Sequence, residues 1–322
     1  MSTPLWVAGL LLLNSLSSFA QLPPQLTDLK RFTNREAVLK YSAPAGSNYR
    51  VESSTNLIDW TSLFTFPPTT SGQYTDTAAP PYPARFYRSF SLASTNVLTG
   101  DHIPTTNGDI VIHPINHACF VMTWNGLVIY NDPTANGRFT GLPKANLILV
   151  THEHGDHFDV SGLNAVKNTN TIILAPQVVY NSMSSFHKGI TTVLTNKASI
   201  NVLGINVLAV PAYDITGSIN HSKGVGNGYL LTMGDRRLYI SSDTDDTPEM
   251  HALRDIDVAF LAIDSTFTMS IASALSVVRE VRPKIVFPYH YNPSGNSPTD
   301  LNSFKNQVGT DIGVEVRVRK WY

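Results

Sequence analysis

Three histidines and one aspartate fall within six residues of this chain, directly after an apolar run at residues 147–150. Side chains alternate along extended backbone, so His152 and His154 point to the same side, and Gly155 allows a turn that brings Asp156 and His157 back towards them. Imidazole and carboxylate donors suit zinc, with manganese and iron as alternatives, whereas a structural zinc site usually adds cysteine thiolates. The alternative is a polar loop rich in histidine, but chance rarely places this spacing after a buried strand. The stretch therefore predicts a site for two divalent metal ions.

Length and charge limit the class of protein. At 322 residues the chain exceeds one ordinary domain, and two domains are expected. The 23 basic and 24 acidic side chains nearly cancel, and no cluster of lysine or arginine stands out. Proteins that bind nucleic acid carry a basic patch. The composition therefore argues against nucleic acid and favours a small-molecule substrate, while the oligomeric state stays open.

The first twenty residues resemble a secretory signal peptide. An apolar run at residues 5–13 is followed by the small-x-small pattern Ser18-Phe19-Ala20. The run is shorter than the roughly 20 residues that cross a bilayer, although no basic residue precedes it and an uncleaved anchor is the alternative. Cys119, the single cysteine, excludes an intramolecular disulfide and is expected to be a small buried core residue. We expect an exported protein, periplasmic or extracellular, without stable membrane insertion after cleavage.

The remaining chain divides into an all-β part and a mixed part. Residues 21–92 show short alternating runs between turns, which predict a small β-sandwich of about six strands with Trp60 as its core anchor. This module is either a structural spacer or a carbohydrate-binding module that uses exposed Trp60 or Tyr82. Residues 93–107 are expected to form a linker. From 108 to 322, strand and helix patterns alternate, with helices expected at residues 160–167, 176–186, 248–253, 270–281 and 300–307, which predicts an α/β sandwich.

Further candidate ligands stand at the ends of strand patterns along the second part. Asp132 follows the apolar run at residues 127–130, and His221, Asp243 and His290 come later. The order Asp, His-x-His-x-Asp-His, His, Asp, His resembles the metallo-β-lactamase fold superfamily over about residues 108–322. Within it, Gly226-Asn227-Gly228-Tyr229 and the segments 239–245, 267–269 and 283–290 look most like the L-ascorbate-6-phosphate lactonase-like branch.

The resemblance implies an αββα sandwich with a two-metal site at one edge of its sheets. It assigns His152, His154 and His221 to one metal, and Asp156, His157 and His290 to the other. Asp243 would bridge the two metals, against the alternative that it caps a following helix. A water shared by two cations loses a proton near neutral pH, which gives a hydroxide for attack on carbon or phosphorus. Asp156 is also the candidate catalytic proton acceptor or donor.

Three residues are expected around the ligands. Asp132 matches the family's structural aspartate, which hydrogen-bonds the metal loop. His117, in Asn116-His117-Ala118-Cys119-Phe120, matches a strand histidine and either lines the pocket or is a core histidine. Tyr213 begins the loop 213–225, where substrate specificity is expected, and the chain departs from the family in having Asp214 for asparagine and Ser242 for glycine. The remaining candidates are expected to be ordinary surface histidines: His102, His113, His187 and His251.

The sequence therefore predicts a secreted, lactonase-like metal-dependent hydrolase that uses a metal-bridged hydroxide on a lactone, an ester or a phosphodiester. The alternative is a catalytically idle protein of the same fold that serves as a binding or scaffold protein. Complete ligand motifs favour the hydrolase, because an idle relative has no need to keep them all.

Overall fold

The computed structural model describes residues 25–32, 36–43, 46–68, 71–79, 82, 84–92, 97–215, 220–293, 298–309 and 312–321. The expected signal peptide at residues 1–20 lies outside them. The chain forms two compact units, of which the first takes residues up to Pro104 together with Asp109–His113, and the second takes Thr105–Gly108 and Pro114–Tyr322. Each unit is described in turn.

The first unit contains two small sheets. Its strands are β1 (Gln25–Arg31), β2 (Ala37–Ser42), β3 (Tyr49–Ser54), β4 (Thr61–Phe66), β5 (Ser71–Asp76), β6 (Phe86–Ser91), β7 (Gly100–Ile103) and the start of β8 (Ile110–Asn116). One sheet has the order β1-β2-β5, and the other runs β7-β4-β3-β6. Strand β7 also pairs antiparallel with β8. Polar and apolar residues alternate in these strands because one face of each sheet covers a shared core.

Aromatic side chains from both sheets fill that core. Tyr41, Tyr49, Phe66 and Tyr74 are all buried, and the rings of Tyr41 and Phe66 lie 4.3 Å apart. The prediction that Trp60 anchors the core is wrong. Its ring is half-buried beneath the Arg88 guanidinium, 4.3 Å from the ring centroid, and stabilises the sheet surface through a cation–π contact.

Part of the expected linker is a strand. Gly100–Ile103 form β7, and all four residues are buried. The polar sequence of this segment does not predict a strand, because its polar side chains can be buried only where specific partners form hydrogen bonds with them. His102 shows this, because its Nε2 lies 2.7 Å from Thr65 Oγ1 and its Nδ1 lies 2.8 Å from Asp109 Oδ2. The expectation that His102 is a surface histidine is therefore wrong.

The second unit is a layered α/β sandwich, which confirms the expected fold class. Its first sheet has the order β13-β12-β11-β10-β9, and its second has the order β14-β15-β16-β17-β18-β19-β20. The strands are β9 (Cys119–Trp124), β10 (Leu127–Asn131), β11 (Ala145–Leu149), β12 (Lys167–Ala175), β13 (Thr191–Val193), β14 (Ser199–Val202), β15 (Ile205–Ala212), β16 (Gly226–Met233), β17 (Arg236–Ile240), β18 (Val258–Ala262), β19 (Ile285–Tyr289) and β20 (Glu315–Val316).

The two sheets face each other across an aromatic core. Phe120 of β9 stacks on Phe260 of β18 with ring centroids 4.4 Å apart, and Trp321 packs edge-on against Phe120. Cys119 is buried, which confirms its expected role in the core. Strands β10 to β13 are parallel, as are β17 to β20, and such strands are buried on both faces.

In the part of the chain that the structure describes, six helices cover the outer faces. They are α1 (Val160–Val166), α2 (Gln177–Ser182), α3 (Ser185–Gly189), α4 (Pro248–His251), α5 (Ile271–Val281) and α6 (Leu301–Val308). The single helix expected at residues 176–186 is broken at Met183, which is extended, and Ser184 caps the next helix through His187 N. His187 itself is buried, against the surface position expected for it. None of the helices described is long and apolar enough to cross a membrane.

Close packing holds α1 at the end of β10. A Cβ on Gly162 would stand 2.1 Å from the Pro133 carbonyl oxygen, so only glycine lets the helix approach this loop. Asp159 caps the same helix by accepting a hydrogen bond from Ser161 N at 2.6 Å. The metal loop predicted from the sequence therefore lies between the buried strand β11 and helix α1. Close packing at Gly162 and the cap at Asp159 hold that helix in place.

Candidate metal centre

The histidine-rich stretch forms a compact turn after β11. His154 O accepts hydrogen bonds from His157 N at 2.9 Å and Phe158 N at 2.8 Å, which closes the turn around Gly155. Nε2 of His152 lies 3.2 Å from Nδ1 of His154, so both imidazoles face the same space. The two imidazoles therefore lie together, as the sequence predicts, although the backbone already bends at residues 153 and 154.

Asp243 lies at the centre of the cluster. Its carboxylate is 3.3 Å from His157 Nε2 and 3.2 Å from His290 Nε2. On the other side, His221 Nε2 lies at 3.6 Å and His152 Nε2 at 4.0 Å. Asp243 does not cap a helix, because Thr247 caps α4. One buried carboxylate thus stands within reach of histidines from both predicted metal sites.

The strand ends bring two groups of donor atoms together. His152, His154 and His221 form one group, and His117, Asp156, His157 and His290 form another, with the donor atoms of each group within 4.8 Å of one another. A third grouping joins His152 and His157 to Asp243. All seven ligands expected from the sequence therefore meet at one place, at the carboxyl ends of the strands that carry them.

Unpaired polar atoms test whether metals fit this cluster. Several buried atoms have no hydrogen-bond partner of acceptable geometry among the described residues: His157 Nε2, His221 Nε2, Asp243 Oδ1 and both ring nitrogens of His290. Buried polar atoms are almost always paired in folded proteins, and an unpaired group is costly. The three Nε2 atoms lie beside the Asp243 carboxylate, and they are imidazole and carboxylate donors of the kind that binds zinc, manganese or iron. The residues present fit divalent metal ions.

Asp132 holds the metal loop from beneath. It is fully buried and accepts hydrogen bonds from Thr151 N and Thr151 Oγ1, each at 2.8 Å. Its Oδ2 also lies 2.9 Å from His157 Nδ1. A carboxylate on the outer nitrogen of a histidine fixes the tautomer that presents Nε2 to the metal. Asp132 thus orients a predicted ligand and does not itself face the donor cluster.

Asp214 does the same for His221, although it is not among the residues expected around the ligands. Its Oδ1 lies 3.1 Å from His221 Nδ1, and its Oδ2 accepts a hydrogen bond from His221 N at 3.0 Å. The departure from the family's asparagine was the available signal, since metal-binding histidines commonly pair with carboxylates. Tyr213 is not in the donor cluster, and its hydroxyl donates to Glu249 Oε2 at 2.8 Å.

His117 lies beside the second group of donors. Its Nε2 is 3.0 Å from Asp156 Oδ2, and its ring centroid is 3.8 Å from that of His290. The side chain is 23% exposed, whereas that of Asp156 is 50% exposed. Of the two readings left open by the sequence, the half-open position beside the cluster favours a pocket-lining residue over a core histidine.

The electrostatics are those of a tightly coupled buried cluster. Burial, reinforced by nearby His157, holds the pKa of His152 well below its ordinary value. Burial alone would also lower the pKa of His290, but Asp243 and Asp156 raise it to about 9. Conversely, burial would raise the pKa of Asp243, yet His157 and His290 hold it well below the usual range. The pKa values of His290 and Asp243 are therefore shifted in opposite directions, because each group stabilises the charged form of the other.

A cavity of about 210 Å³ opens beside the first group of histidines. Besides four of the predicted ligands, its described walls contain Glu153, Ala212, Asn220, Ser222, Val225 and Gly226. The cavity gives a small molecule access to the donor cluster. Substrate-sized space and a metal-binding cluster thus share one edge of the sandwich, where α/β folds usually place their sites.

Comparison with known proteins agrees with this geometry. A family model described as the beta-lactamase superfamily domain matches residues 111–290. A metal-dependent hydrolase of Thermococcus onnurineus is 30% identical over 204 residues, which cover 61% of this chain and 90% of the relative.

Solved structures give the same picture. A protein of Parabacteroides distasonis, assigned as a metal-dependent hydrolase, is 35% identical with a TM-score of 0.64, covering 70% of this chain and all of that one. The metallo hydrolase Igni18 of Ignicoccus hospitalis shares the fold at 24% identity and a TM-score of 0.56, with 66% of this chain and 95% of that chain covered. The chain belongs to the metallo-β-lactamase superfamily and is a metal-dependent hydrolase of that fold.

Proposed function

We propose that the protein is an exported, dinuclear hydrolase of a lactone, an ester or a phosphodiester. His152, His154 and His221 would hold one divalent metal, and Asp156, His157 and His290 the other, with Asp243 shared. The observation that carries the proposal is the position of Asp243, which faces histidines of both groups within 3.2 to 4.0 Å. Zinc is the proposed metal, with manganese and iron as alternatives, because the donors are imidazoles and carboxylates.

The chain's own residues prepare the site for hydrolysis. Two divalent metals supply Lewis acidity and lower the pKa of a bound water towards neutrality. Asp132 and Asp214 fix the orientations of His157 and His221. Asp156 is half exposed and lies 3.0 Å from His117 Nε2, so its carboxylate is placed to accept a proton at the mouth of the site.

The lactonase-like assignment is part of the same proposal. It rests on the motif Gly226-Asn227-Gly228-Tyr229, whose residues support the metal loop. Asn227 N donates to Thr151 O at 2.9 Å, and the Tyr229 hydroxyl donates to Val150 O at 2.7 Å. A Cβ on Gly228 would come within 2.8 Å of Ile240 O, which explains the glycine. Through these contacts the motif holds the metal loop in place.

Export is proposed from the first twenty residues, which resemble a secretory signal peptide. The expected mature chain begins at Gln21, which N-terminal sequencing of the protein recovered outside the cytoplasm would test. A mature chain that still begins at Met1 would show an uncleaved segment instead.

Metal analysis tests the dinuclear site. The purified protein should carry about two divalent metals per chain, and Asp243→Ala should lower that number because it removes the carboxylate shared by both groups. His251→Ala is the matched control, since His251 pairs with Glu280 on the surface, 2.6 Å away. The metal-loaded protein should then hydrolyse members of a panel of lactones, esters and phosphodiesters. A single metal at saturation, or equal metal loss in the two variants, would contradict the assignment.

A further inference from the structure

Asp214 and His221 hold each other in the connection between β15 and β16. The Asp214 N–H donates to His221 O at 2.9 Å. In return, Asp214 Oδ2 accepts a hydrogen bond from the His221 N–H at 3.0 Å, and Asp214 Oδ1 lies 3.1 Å from the ring Nδ1. Both side chains are buried, with exposed fractions of 5% and 6%. One aspartate therefore holds both the backbone and the ring of a predicted metal ligand.

This arrangement requires a carboxylate at position 214. The His221 N–H and the ring Nδ1–H are two donors, and each faces a different oxygen of Asp214. An asparagine has one acceptor oxygen and a donor NH₂ group, so it could satisfy only one of the two donors. The other donor would be left without its partner in a buried position, which is costly. The departure from the family's asparagine thus has a structural reason, because Asp214 binds two groups of His221 at once.

His221 is also part of one wall of the cavity. We call residues 220–226 the cavity wall, because the segment supplies the lining residues Asn220, His221, Ser222, Val225 and Gly226. His221 and Gly226 are buried near the two ends of the wall, whereas residues 222–224 between them are exposed. The shape of the wall therefore depends on how firmly His221 is held.

The other side of the His221 ring faces the donor cluster. Its Nε2 is buried, lies 3.6 Å from Asp243 Oδ2 and has no hydrogen-bond partner of acceptable geometry in the part of the chain that the structure describes. Because Asp214 holds Nδ1, Nε2 is the nitrogen left for a metal. A metal at Nε2 and Asp214 at Nδ1 would hold the end of the cavity wall from two sides.

We propose that Asp214 is a positioning residue that couples the first metal, bound by His152, His154 and His221, to the cavity wall. The metal needs His221 in its present place, and the same place fixes the wall that a substrate would contact. Each then favours the other by linkage, so that metal stabilises the wall and a fixed wall strengthens metal binding. The inference rests on the proposed function for the position of this metal.

Limited trypsin digestion of the full-length wild type tests the coupling without any variant. Local opening of the wall makes the bond after Lys223 accessible, and cleavage there follows the population of the open form. Zinc at ten times its dissociation constant should slow this cleavage about tenfold, because opening must first release the metal. Cleavage after Lys30 in the first unit is the internal reference and should not change. Equal cleavage after Lys223 with and without zinc would overturn the inference.

Asp214→Asn introduces the family's usual residue and tests the positioning role. In a cobalt titration, one of the two metals should bind about 10–100-fold more weakly, as expected when a metal-binding histidine loses its carboxylate partner. Without metal, trypsin should cut after Lys223 faster than in the wild type. Saturating cobalt should restore the protection, whereas a purely structural defect would leave the fast cleavage in place. Unchanged metal affinity, or fast cleavage that persists at saturating cobalt, would overturn the inference.

Glu280→Gln is the control for the change of charge. It also replaces a carboxylate by an amide, but Glu280 pairs with His251 on the outer surface. Its metal affinity and its cleavage after Lys223 should match the wild type. Equal shifts in Asp214→Asn and Glu280→Gln would show a general charge effect and would contradict the role of Asp214.

These measurements need no turnover, so they separate the inference from the proposed function. If metal protects Lys223 and Asp214→Asn weakens one metal while no lactone, ester or phosphodiester is hydrolysed, the hydrolytic function fails and the coupling stands. If the protein hydrolyses such a substrate while cleavage after Lys223 ignores metal, the coupling fails and the hydrolytic function stands.

Discussion

Four residues at the metal centre adopt left-handed backbone without being glycine. They are His117, Asp132, Ser242 and His290, with φ of 54°, 43°, 64° and 46°. Each lies within two residues of a strand end, and His117 and His290 belong to the second group of donors. Left-handed backbone costs an L-residue about 1–2 kcal/mol, and such strain concentrates at functional sites. The fold therefore gives up some stability to aim these side chains.

Ser242 allows this cost to be measured. Its backbone N–H donates to the Tyr289 hydroxyl at 3.0 Å, which holds the strained residue next to Asp243. Ser242→Gly should stabilise the protein by about 0.5–1 kcal/mol, because the relief of left-handed strain exceeds the added flexibility of the unfolded chain. Ser199→Gly in β14 lacks positive φ and should be destabilising by about 0.5–1 kcal/mol. Chemical denaturation of both variants provides the measurement, and loss of stability in Ser242→Gly would contradict the strain.

The protonation of His290 predicts that a rise in pH lowers the stability of the metal-free protein and raises its affinity for metal. The raised pKa of about 9 stabilises the metal-free protein below the unfolded value of ~6.5, and this stability is lost as the pH rises through 9. Metal binding needs the unprotonated ring, so metal affinity should increase over the same range.

Thermal unfolding at pH 6.5, 8 and 9, with chelator and with saturating metal, tests the pair of effects. With chelator, the melting temperature should fall as the pH rises. The increase in melting temperature on adding metal should become larger over the same range. In His290→Ala both trends should weaken, because the group that exchanges its proton for the metal is gone. A metal-free melting temperature that rises with pH would contradict the proton balance of the cluster.

At the scale of elements, the sequence predicts the turns and helices that depend on interactions between neighbouring residues. The turn at Asn125–Gly126 joins β9 and β10, as the Asn-Gly pair predicts, and both residues have positive φ. Helix α5 runs from Ile271 to Val281 with Ser270 as its cap, close to the expected 270–281. Such elements depend on neighbours in sequence, so the sequence alone suffices.

Elements that depend on distant partners were missed. Strand β7 is polar and needs Gly100, whose Cβ would stand 1.9 Å from Ile112 O. In the metal centre, too, residues whose role depends on a distant partner could not be predicted. The ligands could be predicted because metal chemistry restricts residue types and spacing, whereas the departure from asparagine at Asp214 gains a meaning only when His221 is placed beside it. Its role depends on the loop path, which no local pattern encodes.

At the scale of the whole molecule, every predicted ligand falls within the second unit. A truncated chain of residues 100–322 should therefore retain the metal content of the full-length protein. A unit with its own core can fold alone, and the facing sheets of this unit enclose Phe120, Phe260 and Trp321. Loss of metal from a soluble truncated chain would show that the first unit is needed to build the centre.

Truncation should still lower the melting temperature. In the full chain, β7 pairs with β4 through Asp101 and Gly100, and His102 contacts Thr65 Oγ1. Without β4, water replaces the partners of His102 and β7, at a net cost of about 0.5–1.5 kcal/mol for each hydrogen bond lost. Each kcal/mol corresponds to ~2–4 °C in a domain of this size. Full-length Thr65→Val removes only the hydroxyl and should reproduce part of the decrease. If Thr65→Val melts like the wild type while the truncated chain melts far lower, the loss comes from strand pairing rather than from the buried histidine.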